Sequence, residues 1–328
     1  MKKVCYLIPV YNSEYTISKA LLSIHSYKYD LEVIVINDNS TDNSEKIIQE
    51  VKQFLTYKLH VINNKNNLGI SSSLNKGIEM AISLEADYIL RLDSDDFNTK
   101  GRTDFQVDFM ENNSDIIICS SNAKLLKGKS LKISFLNRSK SLLENHFRPF
   151  SSLIGSIDFH PTFCIRIKPF RDFGIRYGKL PDYFNNDIFI RDGIEDLLLI
   201  NLIIYYYGIH SIHRHADKEL ITYRLNDKSL TTTTQKNKQR LLKIIFTANQ
   251  ILYKVNLKES SKLIIFSKLS FSIAKHHFKN RFLRVIFTIF GIMILYINSS
   301  NYFYKLLVFP IMIFIIPRLI IQYLKITD

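Results

Sequence analysis

Short apolar runs alternate with amphipathic segments over the first 120 residues. The apolar runs are rich in Val, Ile, Leu and Tyr, and they predict β-strands at 3–11, 32–38, 58–64 and 86–93. Between them, segments such as "EKIIQEVKQFL" at 45–55 show helical spacing. Strands that are apolar throughout and separated by helices indicate a parallel sheet with helices on both faces. Because crossovers between parallel strands are right-handed, the pattern predicts an α/β fold with a doubly wound, mostly parallel central sheet.

Polar residues follow three of these strands at the point where each strand ends. Asn12 follows the first strand, Asp38 closes the second and Asp93 closes the fourth. Ligands of doubly wound sheets bind beyond the carboxyl ends of the strands. We therefore expect these three side chains to converge on one crevice.

The pattern changes after residue 120. Residues 121–190 are irregular, and they are followed by a predicted helix at 193–208 and a predicted strand at 219–225. A threonine run then marks the end of the first domain. The predicted domains are residues 1–235 and residues 236–328.

The second predicted domain begins with basic helices and holds two apolar stretches, at 285–297 and 306–321. Spanning a bilayer takes about 20 apolar residues, and both stretches are shorter. The second stretch also contains Pro310, Pro317 and Arg318. Helices in the membrane interface, or a shallow re-entrant hairpin, suit these stretches better than clean spans. Core helices of a soluble domain are the alternative.

The net charge of +14 belongs almost entirely to this second domain. Residues 1–235 hold 29 basic and 28 acidic side chains, whereas residues 236–328 hold 15 basic and two acidic ones. Positive charge that rises together with apolarity favours an anionic membrane surface as the partner over a nucleic acid.

The three cysteines, Cys5, Cys119 and Cys164, lie far apart in apolar runs. This distribution is typical of buried thiols in a reducing compartment, and it offers neither a disulfide framework nor a metal-ligand spacing. The N-terminal segment predicts a first strand rather than a signal peptide. We therefore expect the protein on the cytosolic side.

The segment "RLDSDDF" at 91–97 gathers three carboxylates, Asp93, Asp95 and Asp96, at the end of a predicted strand. Hard divalent cations such as Mg²⁺ or Mn²⁺ take oxygen ligands of this kind. Asp93 and Asp95 are two residues apart, so extended backbone would direct both side chains the same way. Taken alone, the segment also fits a solvated acidic turn.

Four segments occur in order: "IPVYNSEYTISKAL", "EVIVINDNSTDNS", "NNLGISSSLNKGI" and "ILRLDSDDF". In this order and spacing they resemble the family 2 glycosyltransferases, which have the nucleotide-diphospho-sugar transferase (GT-A) fold. The resemblance covers about residues 1–125 and resumes more weakly at 160–168, 193–202 and 221–231. It implies a GT-A fold for the first domain, whereas the helical, partly membrane-associated segment that follows is predicted from the basic, apolar composition of the tail.

The resemblance also implies a role for individual residues at a nucleotide-sugar site. The nucleotide pocket would be lined by residues of the first loop, which are Val10, Tyr11, Asn12 and Glu14. Asp38 would read the base or its surroundings, and Asn67 and Gly69 would form the next turn of the site. Arg224 resembles a family position near the diphosphate, and His160 lies in a segment near donor or acceptor.

In the acid motif, the resemblance implies that Asp93 serves the ribose or the metal and that Asp95 binds the metal, which is Mg²⁺ or Mn²⁺. Asp96 would cap or brace the turn. A cation would stabilise the charge that develops on the nucleoside diphosphate as it leaves.

The reaction also needs a base for the acceptor hydroxyl. Glu195 and Asp196 begin an apolar helix, where acids are favoured by capping and by the helix dipole alone. Their distance from the metal motif matches the family's catalytic acids, which implies Asp196 as the base and Glu195 as its orienting partner or an acceptor contact. One carboxylate base without an evident nucleophile indicates single displacement with inversion. The spacing of His210, His213 and His215 fits no common zinc site.

We therefore predict an inverting, metal-dependent, non-processive glycosyltransferase that uses a nucleotide-diphosphate sugar, in the first instance a UDP-sugar. The basic, apolar tail suggests a lipid-linked oligosaccharide acceptor in O-antigen or capsule biosynthesis. The expected location is the cytoplasmic face of the bacterial inner membrane, in a peripheral or monotopic arrangement. Two alternatives are a sugar-phosphate nucleotidyltransferase and a catalytically inactive membrane adaptor that binds nucleotide-sugar. The nucleotidyltransferase would need a Gly-rich N-terminal loop, which "IPVYNSEYT" lacks.

Overall fold

The computed structural model describes residues 1–127, 130–133, 160–179, 189 and 195–225. The strands are β1 (Lys3–Val10), β2 (Asp30–Asn37), β3 (Lys58–Asn63), β4 (Tyr88–Arg91), β5 (Phe97–Asn98), β6 (Ile118–Lys127), β7 (Ser130–Ile133), β8 (Cys164–Arg166) and β9 (Ile212–Arg224). The α-helices are α1 (Ile17–Leu22), α2 (Ser44–Lys52), α3 (Ile70–Ser83), α4 (Arg102–Glu111), α5 (Lys168–Asp172) and α6 (Glu195–Tyr207). Two 3₁₀ turns, His160–Thr162 and Ile209–Ser211, complete the described elements.

The first four strands form the parallel half of the sheet. Their order is β3-β2-β1-β4, and every pair among them is parallel. This arrangement confirms the parallel, crossover-connected sheet that the apolar runs predict. All four strands therefore end at the same edge, which is where the polar segments after β1, β2 and β4 lie.

The second half of the described sheet mixes strand directions. It continues as β8-β6-β9-β5, with β7 paired to β6. Here β8 is antiparallel to both β4 and β6, β5 is antiparallel to β9, and β6 runs parallel to β9. Each antiparallel pair involves one of the short strands β5, β7 and β8, so the described sheet is mostly parallel, as predicted.

Strand β9 is also longer than predicted, because it begins at Ile212 rather than at residue 219. Its first residues are charged and carry no apolar alternation. They are extended because they pair with β6 from Ile118 onwards, across a bulge near Ser121 and Asn122. Tertiary pairing outweighs local propensity here.

The core lies beneath the parallel strands. Most side chains of β1, β2 and β4 are buried, whereas Leu59 is the one buried residue of β3. Helix α3 approaches this layer closely at Gly77. A Cβ atom at Gly77 would lie 2.9 Å from Ile36 Cδ1 and 3.0 Å from Leu7 Cδ2. The missing side chain therefore lets α3 lie against β1 and β2, which fixes the start of α3 near the carboxyl ends of the strands.

Contacts along the chain separate Met1–Thr233 from Thr234–Asp328, and all the described residues lie in the first unit. The domain boundary predicted after residue 235 and the apolar stretches at 285–297 and 306–321 lie outside the described residues. In the part of the chain that is described, none of the helices combines the length and the apolarity needed to cross a membrane.

Candidate functional site

The acid motif follows β4 and brings its three carboxylates together. Ligand oxygens of Asp93, Asp95 and Asp96 all lie within 4.8 Å of one another, and this is the one such group of acid, His or Cys side chains among the described residues. The Asp96 amide donates to the Asp93 carbonyl over 3.1 Å, which closes the turn. The three carboxylate charges therefore repel one another at short range.

Burial and this repulsion change how the carboxyls titrate. Burial first, and then the charge of Asp93, raise the pKa of Asp95 to about 6. The same causes, burial and the neighbouring charges of Asp93 and Asp95, raise the pKa of Asp96 well above its usual range. A carboxyl group held in this state gains a favourable partner when a cation binds.

Asp96 does more than brace its own turn, which was the role expected for it. Its Oδ1 accepts a hydrogen bond from the Arg224 amide on β9 over 2.8 Å. Its Oδ2 is buried and has no hydrogen-bond partner. The Arg224 guanidinium lies 5.7 Å from the ring centroid of Phe97, and its charge acts on Asp95. Arg224 therefore stands beside the acid motif; its place near a diphosphate stays a prediction.

These residues fit a divalent cation. Three carboxylates supply the hard oxygen ligands that Mg²⁺ and Mn²⁺ prefer, and one buried oxygen is without a hydrogen-bond donor. Buried polar oxygens are rarely left in this state unless a ligand or an ion completes them. Asp93 and Asp95 are only partly buried, so a bound ion could also contact a substrate phosphate.

The loop after β1 borders the same edge. Val10 is buried, Tyr11 is 51% exposed, and Asn12 has a left-handed backbone with φ of 51°. Asn12 Oδ1 accepts the Thr41 amide over 2.8 Å, which ties this loop to the one after β2. The exposed ring of Tyr11 leaves a flat face available at the edge of the sheet, where we expect the nucleotide to bind.

Two more contacts hold this first loop in place. The Ser13 and Ser94 hydroxyls lie 2.7 Å apart, which joins the loop to the acid motif. Glu14 accepts hydrogen bonds from the Asn43 amide (3.1 Å) and side chain (2.8 Å), and these bonds lower the pKa of its carboxyl. Glu14 thus connects the loops after β1 and β2.

Asp38 has a structural task that the sequence does not reveal. It is buried, and its carboxylate accepts hydrogen bonds from Asn64 Nδ2 (2.8 Å), the Leu68 amide (2.9 Å) and the Gly69 amide (2.8 Å). Gly69 has a φ of 86°, which favours glycine. Asp38 therefore holds the turn that contains Asn67 and Gly69 and that begins α3. Its contact with a base stays a prediction.

Glu195 and Asp196 begin helix α6, and the fold brings them towards the acid motif. Glu195 is buried and Asp196 is partly exposed. Glu195 Oε1 lies 3.7 Å from Nδ1 of His160. Burial is the largest cause that raises the pKa of the Tyr177 hydroxyl, but Glu195, Asp196 and Asp93 all contribute to it. The two acidic groups, about 100 residues apart in sequence, therefore act on one tyrosine.

Arg91 connects the two groups, and the sequence reasoning missed it. The side chain is fully buried at the end of β4. Its Nη2 donates to Asp93 Oδ1 over 2.7 Å, its Nη1 donates to the Leu7 carbonyl over 2.7 Å, and its Nε lies 3.4 Å from His160 Nε2. The sequence could have indicated this residue, because an arginine inside an apolar parallel strand must find buried hydrogen-bond acceptors.

The histidines near residue 213 form no metal cluster in the described chain. His213 and His215 are 4.6 Å apart between ring centroids, and both contact Phe109. His215 also packs on Phe105 at 4.9 Å. They are aromatic packing partners of α4. The three cysteines are buried and free, as expected.

Residues 5–173, just over half of the chain, match the family model described as "Glycosyl transferase family 2". Among curated proteins, an uncharacterized glycosyltransferase of Haemophilus influenzae is 32% identical over 131 residues, which are 40% of this chain and 39% of that relative. The match thus spans about two fifths of the relative's length.

Solved structures show the same fold. The crystal structure of S. aureus TarS 1-349 in complex with UDP-GlcNAc has a TM-score of 0.62 and 18% identity, covering 90% of this chain and 82% of that 1-349 chain. Mannosyltransferase PcManGT from Pyrobaculum calidifontis, in complex with GDP-Man and Mn²⁺, has a TM-score of 0.61 and 13% identity, covering 93% and 77%. At these identities the likeness establishes the fold alone, and the predicted GT-A-type α/β fold is confirmed.

Proposed function

This chain belongs to glycosyl transferase family 2, and from that premise we propose that it transfers a sugar from a nucleotide-diphosphate donor, in the first instance a UDP-sugar. The cluster of Asp93, Asp95 and Asp96 carries this proposal, because its oxygens meet within 4.8 Å at the carboxyl edge of the parallel strands. Nucleotides bind at this edge in doubly wound folds. The two solved structures above, one bound to UDP-GlcNAc and one to GDP-Man with Mn²⁺, support the choice of donor class.

The residues of the first three loops would bind the nucleotide. Tyr11 offers an exposed ring face, and Asp38 supports the turn of Asn67 and Gly69 at the start of α3. The Arg224 side chain beside the acid motif would add a positive charge near the diphosphate. Each of these contacts positions the donor without taking part in proton transfer.

Asp93 and Asp95 would hold Mg²⁺ or Mn²⁺, with Asp96 bracing them. When bound, the cation stabilises the negative charge that grows on the diphosphate leaving group. Asp196, which is partly exposed, would take the proton from the acceptor hydroxyl. A single displacement then inverts the anomeric carbon, because the acceptor attacks from the side opposite the leaving group.

The acceptor is proposed to be a lipid-linked saccharide of the O-antigen or capsule type. The basic, apolar character of residues 236–328 supports this, since such a segment can bind an anionic bilayer and bring the site to a lipid-borne substrate. The proposed location is the cytoplasmic face of a bacterial inner membrane, and one sugar is added per encounter.

A donor panel tests the proposal. Purified full-length protein is incubated with UDP-, GDP- and dTDP-sugars, with and without Mn²⁺, and release of the nucleoside diphosphate is measured. We expect turnover of at least one donor that depends on the cation, and its loss in Asp95→Ala. Asp115→Ala is the matched control, because Asp115 is an exposed acid away from the site. Unchanged turnover in Asp95→Ala refutes the metal role.

The panel, extended by nucleoside triphosphates with sugar phosphates, separates the alternatives. A nucleotidyltransferase would release pyrophosphate from a nucleoside triphosphate and a sugar phosphate. An inactive adaptor would bind a nucleotide-sugar and turn over none of them.

A further inference from the structure

A buried chain of polar contacts joins the acid motif to the proposed catalytic acids. It runs from Asp93 through Arg91 and His160 to Glu195, with distances of 2.7, 3.4 and 3.7 Å. Arg91, His160 and Glu195 are each at most 8% exposed. Burying polar groups lowers stability unless they find hydrogen-bond or charge partners. We therefore expect this buried arrangement to serve the protein in another way.

The chemistry of Arg91 determines which nitrogen of His160 carries the proton. A guanidinium Nε–H can only donate, so the facing Nε2 of His160 must accept. The Tyr177 hydroxyl, 3.1 Å from the same nitrogen, can also donate to it. The neutral ring therefore carries its proton on Nδ1, the atom that faces Glu195.

His160 is also held neutral and immobile. Burial and the charge of Arg91 lower the pKa of its imidazole well below the usual range. Its ring packs against Phe163 and Tyr177, with centroids 5.2 and 5.4 Å away. The Tyr177 backbone is held in turn by the Asn75 side chain on α3, whose Oδ1 accepts the Tyr177 amide over 2.8 Å and whose Nδ2 donates to the Tyr177 carbonyl over 3.0 Å. The ring thus has one defined orientation.

We propose that His160 is a positioning residue: Arg91 fixes its tautomer, and its Nδ1–H orients the Glu195 carboxylate so that Asp196 is presented to the acceptor. This inference rests on the proposed function for the part that concerns Asp196. The distance of 3.7 Å exceeds a hydrogen bond, and a shift of about 1 Å at the start of α6 would close it. Such contacts commonly tighten when substrate binds.

His160→Asn and His160→Gln test the inference, because each replaces a different one of the two imidazole nitrogens with an amide group. The amide nitrogen of asparagine can occupy the place of Nδ1 and donate to Glu195. The amide of glutamine reaches the place of Nε2, where it can accept from Arg91 but no longer offers Glu195 a donor at the place of Nδ1. His160→Gln should therefore lower kcat by about 10- to 100-fold, the range for losing a hydrogen bond to a charged group. His160→Asn should stay within about five-fold of wild type.

The affinity for UDP with Mn²⁺, measured by calorimetry, and the KM for the donor should change less than two-fold in both variants. His215→Asn is the matched control, because His215 is equally buried and packs on aromatic rings away from the site. Equal loss of kcat in His160→Asn and His160→Gln means that the ring only fills space, and it overturns the inference. So does wild-type kcat in His160→Gln.

A second measurement does not depend on turnover. In protein labelled with ¹⁵N-histidine, the resonance that disappears in His160→Gln should show a neutral ring protonated on Nδ1. A ring protonated on Nε2, or a charged ring, overturns the inference whether or not a donor is found. If no donor is turned over by the wild type but the Nδ1 tautomer is observed, the proposed function fails and the Arg91–His160 assignment stands.

Discussion

Replacing Asp38 tests whether this carboxylate acts through the fold or through the nucleotide. It accepts three hydrogen bonds, from Asn64 Nδ2 and from the Leu68 and Gly69 amides, at 2.8 to 2.9 Å. Asp38→Ala leaves the buried Gly69 amide and the Asn64 amide without this acceptor. A buried donor without a partner costs about 1–3 kcal/mol, so we expect the free energy of unfolding to fall by about 2–4 kcal/mol. Asp38→Asn keeps one acceptor oxygen and should cost about 1–2 kcal/mol.

The assay is urea unfolding followed by far-UV circular dichroism, since the chain has no Trp. Asp42→Ala is the matched control: Asp42 accepts the Glu14 and Ser44 amides at 3.0 Å, but it is only partly buried, so water can replace it at a cost of about 1 kcal/mol or less. UDP affinity is measured on the same samples. A loss of stability below about 0.5 kcal/mol in Asp38→Ala, together with a ten-fold loss of UDP affinity, refutes the scaffold reasoning and assigns Asp38 to the nucleotide.

Three further predictions concern the site and the tail. Because the pKa of Asp95 is raised to about 6, protons compete with the cation below that pH, and Mn²⁺ affinity should fall about ten-fold from pH 7.5 to 5.0 when measured by titration calorimetry. Without metal, Asp95 makes the fold more stable at lower pH. Its charged form is disfavoured in the folded protein, so its contribution to the free energy of unfolding rises as the pH falls through 6. A flat Mn²⁺ affinity over this range would contradict the raised pKa. Asp196→Asn should lower transfer by about 10²- to 10⁴-fold with UDP binding retained; transfer that persists means that another group is the base. A chain truncated after residue 280 should lose flotation with anionic vesicles, and equal flotation of the truncated and full-length chains would refute the membrane-docking segment.

Much of the first half of the fold is predictable from the sequence. Strands β1 to β4 and helices α2 and α3 follow from local apolar spacing, because a buried parallel strand and an amphipathic helix each have a characteristic period. The acid motif could be placed at the edge of the sheet for the same reason, since its position follows from the end of β4. Asp93, Asp95 and Asp96 then meet through local backbone geometry.

The polar start of β9 and the mixed second half of the sheet could not be predicted in this way. Residues from Ile212 onwards are extended because they form backbone hydrogen bonds with β6. Their own sequence has no apolar alternation that would predict a strand. The double role of Asp96 has the same origin, because its partner Arg224 is 128 residues away in the chain.

The sequence by itself therefore determined the parallel strands, the edge at which a ligand would bind and the residue types that could hold a cation. Only the tertiary structure decided which side chains meet there. Arg91 reaches His160 across 69 residues, and His160 lies beside Glu195 at the start of α6. The physical reason is that local spacing is set by backbone periods, whereas a buried cation such as Arg91 takes its partners from whatever acceptors the packed chain brings within about 3 Å.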